Sequence, residues 1–320
     1  MRFALLLCSA LATFDASCGT FPTPGRPVRI VVGFAAGGGT DVQARLLAPG
    51  LAEALGVPVI VENRPGASTM LAAEEVSRAA PDGHTIFYTF SGTFSQLPHT
   101  QRSVRYDAFH DFAPISLAAR GPLVLVVHPS VPASDVAGLV AWGKAHPGSL
   151  NVASFGAGTS SHLFAEMLVR QTGVAMTHVP YKGAGDAAKD LYAGRVQLMF
   201  DSAASALPVV RSGRLRAIGV VAAKRSRWLP DVPTLGEQGL HDMDLEGWLA
   251  FFGPANLPPE VVDKLGAAVA RALRSPELKE AFAQGAYDAV ASTPAELATL
   301  VRDDFDRWGR IVRELGFTPP

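Results

Sequence analysis

The chain has 320 residues, 48% hydrophobic and 18% charged, enough for one large or two medium globular units with real cores. Its 28 basic and 29 acidic residues nearly cancel, which excludes the basic field of a nucleic-acid binder and the polybasic run that seeks an anionic membrane. Both cysteines, Cys8 and Cys18, lie in the first 18 residues, so a thiolate metal site and a catalytic cysteine in the folded body are excluded too.

The N-terminus carries Arg2 and then a short apolar run, residues 3–12, the pattern of a secretory signal and too short for a permanent membrane helix. Residues 1–19 are therefore read as a signal peptide and the body as an exported, periplasmic protein. Ala10-Leu11-Ala12 offers a small-residue cleavage site. Ala16-Ser17-Cys18-Gly19 offers the alternative of a lipid anchor on Cys18, although Asp15 stands where such signals prefer an apolar residue. Residues 20–27 follow as a Pro/Gly-rich tether.

Residues 30–34 are a short β-branched run, a buried strand. The strand runs into Gly37-Gly38-Gly39 and then a helix over about 42–55, with Thr40 or Asp41 as its cap. Glycines let a ligand approach the backbone, and a helix N-terminus presents free N–H groups and a positive dipole end to an anion. A plain βα turn gives the same pattern. A strand near 57–62, a helix over 72–80 and a strand over 85–90 follow, the last running into Ser91–Ser95. This alternation predicts a parallel sheet with ligands beyond the carboxyl ends of its strands, where loops 35–41, 66–69 and 91–95 all lie.

Residues 123–127 form an apolar strand, with a helix near 136–144 after it. The opening pattern then recurs as a strand at 151–154, a glycine loop at 155–160 and a helix over 161–171. Gly56 and Gly66 are ten residues apart, as are Gly173 and Gly183, and the two pairs are offset by 117; Gly39-Thr40 and Gly158-Thr159 are offset by 119. Two similar lobes follow, each with a glycine loop on a helix N-terminus. Further elements are expected at 187–193, 196–200, 204–212 and 215–221, then a strand over 245–252 returning to the first lobe. The remainder is helical; Thr293, Pro294 and Glu296 spell a capping box, and the last helix, about 295–315, is expected to pack on the first lobe. Residues 20–120 with 245–320 form lobe 1 and 121–244 lobe 2, crossed by strands 121–127 and 245–252 as a hinged clamshell.

Several stretches resemble one family. They are Pro27 to Phe34 with its glycine loop, Val61-Glu62-Asn63-Arg64-Pro65-Gly66-Ala67, Tyr106-Asp107, and Asp111-Phe112-Ala113-Pro114-Ile115-Ser116. Ser160-Ser161-His162-Leu163, Val179-Pro180-Tyr181-Lys182-Gly183, Leu198-Met199-Phe200-Asp201 and Asp231-Val232-Pro233-Thr234 continue the series. Together they make the chain similar, over roughly residues 26–317, to the periplasmic substrate-binding proteins of tripartite tricarboxylate transporters, the Bug family. The resemblance implies a type II periplasmic-binding-protein-like α/β fold, two parallel-sheet lobes joined by two crossing strands with a cleft between. It implies capture of a small carboxylate (a di- or tricarboxylate, acidic amino acid or aromatic acid) and delivery to membrane permease subunits. It also implies a monomer with no catalysis and no cofactor or metal.

The family holds its carboxylate with backbone groups, hydroxyls and bridging waters. Carried over, these are Phe34, Ala35, Gly38, Gly39, Thr40 and Asp41 on lobe 1, with Gly92 and Thr93 on one wall. On lobe 2 they are Ser154, Gly156, Gly158, Thr159, Ser160 and Ser161. The loop 91–95 and the short two-cysteine signal depart from the family pattern. Asp201 admits two readings, a contact to a ligand amine, hydroxyl or water, and the N-cap of the helix after it. Lys182 attracts the anion or sits solvated in a turn, and His162 is structural or a base. Asp41 would repel a carboxylate, so capping or water binding suits it. Trp248 is core or cleft wall, and Phe34 an apolar wall. The rival class, a hydrolase using Ser160, His162 and Asp201, lacks a Gly-x-Ser-x-Gly elbow, and a nucleotide enzyme lacks the P-loop lysine.

Overall fold

The computed structural model describes residues 21–181 and 183–318. The expected signal peptide, Cys8, Cys18 and Lys182 lie outside the described residues. β1 (Val28–Val32) leads to α1 (Gly39–Leu55), β2 (Val59–Asn63), a 3-10 turn (Ala67–Thr69), α2 (Met70–Ser77) and β3 (Thr85–Phe90). Two one-turn helices, α3 (Gly92–Ser95) and α4 (Leu97–Thr100), precede the long strand β4 (Phe112–Gly121). Only Pro122 separates β4 from β5 (Leu123–Val127). Next come α5 (Val136–Ala145), β6 (Asn151–Ser154), α6 (Ser160–Thr172), β7 (Thr177–Pro180), α7 (Ala184–Tyr192), β8 (Leu198–Ser202), α8 (Ala203–Arg211) and β9 (Arg216–Val221). The chain returns through β10 (Gly247–Pro254), α9 (Pro259–Ala272), α10 (Pro276–Gln284), β11 (Asp288–Ala289) and α11 (Pro294–Leu315).

One sheet has the order β11-β4-β10-β3-β1-β2 and the other β7-β6-β8-β5-β9. Each is mixed, where the sequence predicted parallel sheets. β1 pairs in parallel with β2 and β3, and β6 with β7 and β8. β10 is antiparallel to β3 and β4, and β5 is antiparallel to β8 and β9. The reason is the hinge. Strands of the βα units run towards the cleft, so a strand entering a lobe from the hinge must run against them.

The sheets are covered on both faces, as βα crossovers require. In lobe 1, Val28, Ile30 and Val32 meet Leu47, Leu51, Leu265 and Val269, while Val31 and Phe87 meet Val76 and Phe94 on the other face. In lobe 2, Leu125 and Phe200 face Phe164 and Leu168, while Val124 and Met199 face Ala187 and Leu207. α11 does not keep to the first lobe as predicted. Leu297 and Val301 pack on lobe 1, whereas Trp308, Ile311 and Val312 enter the lobe 2 core. The Trp308 ring stands edge-on to Phe164, 5.2 Å between centroids. Midway, Trp248 donates its indole N–H to Asp304, a 2.5 Å contact that fixes Trp248 as core. The capping box of α11 is formed as read, by Thr293 and Glu296.

Candidate functional site

The loop after β1 is held from below. A Cβ on Gly33 would come within 2.6 Å of Thr69 Cβ, so the strand end needs glycine to seat the Thr69 turn. Beyond it Phe34 packs its ring on Phe90, 5.3 Å between centroids, and the chain turns at Gly37 with φ of 83°. Ala35, Gly38 and Gly39 are exposed and Thr40 is half-buried, so this backbone faces solvent. Asp41 is buried and points back into the loop. Its carboxylate accepts from Gly37 N (2.8 Å), Asn63 Nδ2 (2.9 Å) and Arg45 Nε (3.0 Å). Burial works against the charge, but these donors outweigh it and hold the Asp41 carboxyl below its usual range. Asp41 is thus a brace for the loop, and the nearby Arg45 is neutralised by it.

The second loop is braced by histidines. Gly156 and Gly158 adopt φ of 139° and 77°, a backbone that side chains resist. Gly158 N–H donates to His162 Nδ1 at 3.0 Å, so Nε2 carries the proton and faces Glu166 at 3.2 Å. His178 stacks on His162, with centroids 3.6 Å apart and rings 9° from parallel, and its Nε2 meets Ser154 Oγ at 2.6 Å. Burial, then the neighbouring His162, pushes His178 down to about 4, so it is neutral at physiological pH. Thr159 Oγ1 donates to Gly156 O (2.8 Å) and Ser161 Oγ to Phe200 O (2.7 Å). The Ser154, Thr159 and Ser161 hydroxyls are therefore spent on the protein. Those of Thr40 and Ser160, half-buried, have no partner recorded among the described residues.

α1 opens after Gly38 and α6 after Thr159 with no side-chain cap; α5, α8, α10 and α11 each have one, and α2, α7 and α9 likewise lack one. The first-turn N–H groups of the two glycine-loop helices are left for another acceptor. Lobe 1 also reaches across to the second loop. Thr100 Oγ1 donates to Gly158 O (3.1 Å) and Gln101 Nε2 to Ala157 O (3.3 Å).

The wall at 91–96 is more buried than the sequence suggested. Thr93 is inaccessible, its hydroxyl bonded to Thr69 (2.8 Å) and Thr89 (2.6 Å). Gly92 is packed under the Phe90 ring, 2.2 Å from where a Cβ would sit. Both therefore shape the wall from behind. Gln96 Oε1 is a buried oxygen with no partner among the described residues.

Asp201 is the last residue but one of β8, the strand paired with the β6 strand that leads into the second glycine loop, and is 1% exposed. The N-cap of α8 is Ser202 and not Asp201, whose Oδ1 accepts from Ser202 N (2.7 Å) and Ser205 Oγ (3.0 Å) and so sits one residue before the cap. Burial drives its carboxyl up to about 6 despite those two donors. From lobe 1, Tyr88 donates to Gln43 Oε1 at 2.7 Å. Burial, then the charge of Asp201, raises Tyr287 to about 12.

The hydrolase triad is not assembled. His162 spends both ring nitrogens on Gly158 and Glu166, and the Asp201 carboxylate takes its donors from Ser202 and Ser205. Two surface recesses, about 250 and 330 Å³, flank α11, and neither contains a glycine-loop residue. Sequence reasoning missed Arg45, Thr100, Gln101 and His178 as parts of the site. Arg45 lies four residues after Asp41 on one helix, a spacing that could have flagged it.

The sequence pattern of the tripartite tricarboxylate transporter family receptor, TctC, matches residues 43–317. The chain belongs to this family. It is 35% identical over 298 residues to protein BugT of Bordetella pertussis, spanning 92% of this chain and 90% of BugT. The solved structure of the periplasmic binding protein BugD superposes with a TM-score of 0.85 at 32% identity, covering 93% of this chain and 100% of BugD. MatC from Rhodopseudomonas palustris, solved with bound malate, superposes with a TM-score of 0.83 at 35% identity, covering 91% and 100%. As a TctC/Bug-family receptor, the chain has the type II periplasmic-binding-protein arrangement in its two mixed-sheet lobes.

Proposed function

We propose that this TctC-family receptor works outside the cytoplasm. It captures a small carboxylate in the inter-lobe cleft and delivers it, as a monomer and without turnover, to the membrane permease of a tripartite tricarboxylate-type transporter. The observation that carries this reading is the pair of glycine loops, each opening a helix whose first turn no side chain caps. A carboxylate at each helix end gains about 0.3–1 kcal/mol from the dipole, more where partly buried, and backbone N–H donors need no arginine. Thr40 and Ser160 supply free hydroxyls, and bridging waters complete the set at modest cost. The malate seen in MatC suits the same chemistry. The moving bodies are residues 20–120 with 245–320 and residues 121–244, except that the end of α11, with Trp308, Ile311 and Val312, goes with the second. Residues 1–19 direct export, with a lipid on Cys18 as the alternative fate.

A thermal-shift panel of di- and tricarboxylates, acidic amino acids and aromatic acids tests the reading. At least one acid should raise the melting temperature and be recovered unchanged. No shift with any acid, or chemical conversion of the acid that binds, would refute it.

A further inference from the structure

The second glycine loop hangs on two stacked imidazoles, and each ring holds one of its left-handed glycines. His162 Nδ1 takes the Gly158 N–H at 3.0 Å. His178 Nε2 meets Ser154 Oγ at 2.6 Å, and that same oxygen bonds both the N–H and the carbonyl of Gly156, at 3.2 Å each. The backbone so held also carries the contacts to the other lobe, because Ala157 O and Gly158 O accept from Gln101 and Thr100. α6 and its uncapped first turn begin at Ser160, two residues beyond Gly158.

The arrangement works only with uncharged rings. An imidazole nitrogen accepts a hydrogen bond only while it lacks a proton. Nδ1 of His162 therefore serves Gly158 while the ring proton stays on Nε2, where Glu166 Oε1 receives it at 3.2 Å. A second proton on His162 would set Nδ1–H against the Gly158 N–H, donor against donor. The two rings lie 3.6 Å apart and 9° from parallel, so a charge on one opposes a charge on the other. Burial first, and the facing His162 second, push His178 down to about 4. The unfolded chain thus binds more protons than the folded one between about 6.5 and about 4, and stability falls as pH falls through that window. The charged group facing the pair is Glu166 on α6. β6 presents Ser154, and the segment after α11 presents Phe317, edge-on to His162 at 5.3 Å; both are uncharged.

We propose that His162 and His178 are positioning residues for ligand capture, holding the second glycine loop in its binding shape only while both rings are neutral. Proton uptake by the pair removes the acceptor for Gly158 and loosens the carbonyls that meet Gln101 and Thr100. The loop then no longer presents the α6 end to a carboxylate. The receptor captures at neutral pH and lets go in acid. The inference rests on the reading of the cleft as a carboxylate site.

The test is calorimetric titration of the purified exported protein from pH 7.5 to pH 5. The probe is malate, or, if malate does not bind, the acid with the largest thermal shift. His162→Asn is the reference, since its amide oxygen stands near the place of Nδ1, accepts from Gly158 and takes no proton. Acid and Asp201 titrate alike in both proteins, so their ratio isolates the ring. Wild type should lose about tenfold more affinity than His162→Asn across this range. Glu166→Gln keeps the acceptor for Nε2–H and drops the charge, so the fall should move to lower pH. Ring nitrogen NMR of wild type should place the single proton of His162 on Nε2 at pH 7.5 and show the second arriving where affinity falls. Parallel losses in wild type and His162→Asn, or affinity that falls while His162 stays neutral, would overturn the inference. If His162→Asn binds nothing at any pH, the ring spectra alone decide by the same criterion. Failure of every acid to bind wild type at pH 7.5 would instead remove the carboxylate reading beneath it.

Discussion

Asp201 is kept ionised at a cost. Its folded-state carboxyl titrates at about 6, against an unfolded value near 3.9. A carboxyl raised on folding adds stability below the unfolded value, and that stability is lost as pH rises from about 4 through about 6. Above pH 6 the ionised group costs about 3 kcal/mol relative to a neutral isostere. Asp201→Asn should therefore melt higher than wild type at pH 7–8, and the difference should vanish near pH 4. A melting curve measured across pH checks this; equal melting temperatures at pH 7.5 would mean the carboxylate is not buried as described. Both of its donors reach Oδ1, and Oδ2 has none among the described residues. His178 illustrates the contrary case. It is also pushed away from its ordinary value, but both its stacking partner and its Ser154 contact lie within the protein, so it braces the loop.

At the scale of elements, the two glycine loops carry different constraints. Around Gly39 an added Cβ would meet open space, so the loop is free to be filled. At Gly158 the Cβ would come within 2.6 Å of Thr100 Oγ1, and φ is 77°. Gly158→Ala should cost about 1–2 kcal/mol from backbone strain alone. It should also wedge Thr100 off the loop and shrink the acid-induced melting shift. Gly39→Trp should melt like wild type without acid and lose the shift with it. A Gly158→Ala variant that keeps the full shift would show that the Thr100 contact is unrelated to ligand capture. Much of this layout was legible in the sequence, because the strand–glycine–helix units recur and because Thr293, Pro294 and Glu296 announce a helix start. The strand β4 was not, since Pro114 and the register shifts against β10 break its alternation. The mixed sheets were hidden because strand direction depends on where the chain enters a lobe, which local pattern does not encode. The braces on the loops were hidden for a related reason. Asn63 and His178 sit 22 and 16 residues from the Asp41 and His162 groups that they serve, and only tertiary contact joins them.

For the whole molecule, the lobes are tied at four places with different stiffness. The strand crossing at Pro122 is a single residue, and the 222–246 segment returns beside it. α11 inserts Trp308 into lobe 2 while Leu297 and Val301 stay on lobe 1, so closure must proceed with this helix as a shared strap. Thr100 and Gln101 provide the fourth tie, two hydrogen bonds at the cleft edge that opening would break and water could replace. Such a frame suits small-amplitude closure in which a ligand anion bridges two helix ends and shifts the balance towards the closed form. The most direct measurement is a crystal structure with the acid that gives the largest thermal shift. The account predicts a carboxylate of that acid within hydrogen-bond distance of first-turn N–H groups of both α1 and α6, directly or through one water. A carboxylate held elsewhere, or touching only one of the two loops, would contradict it.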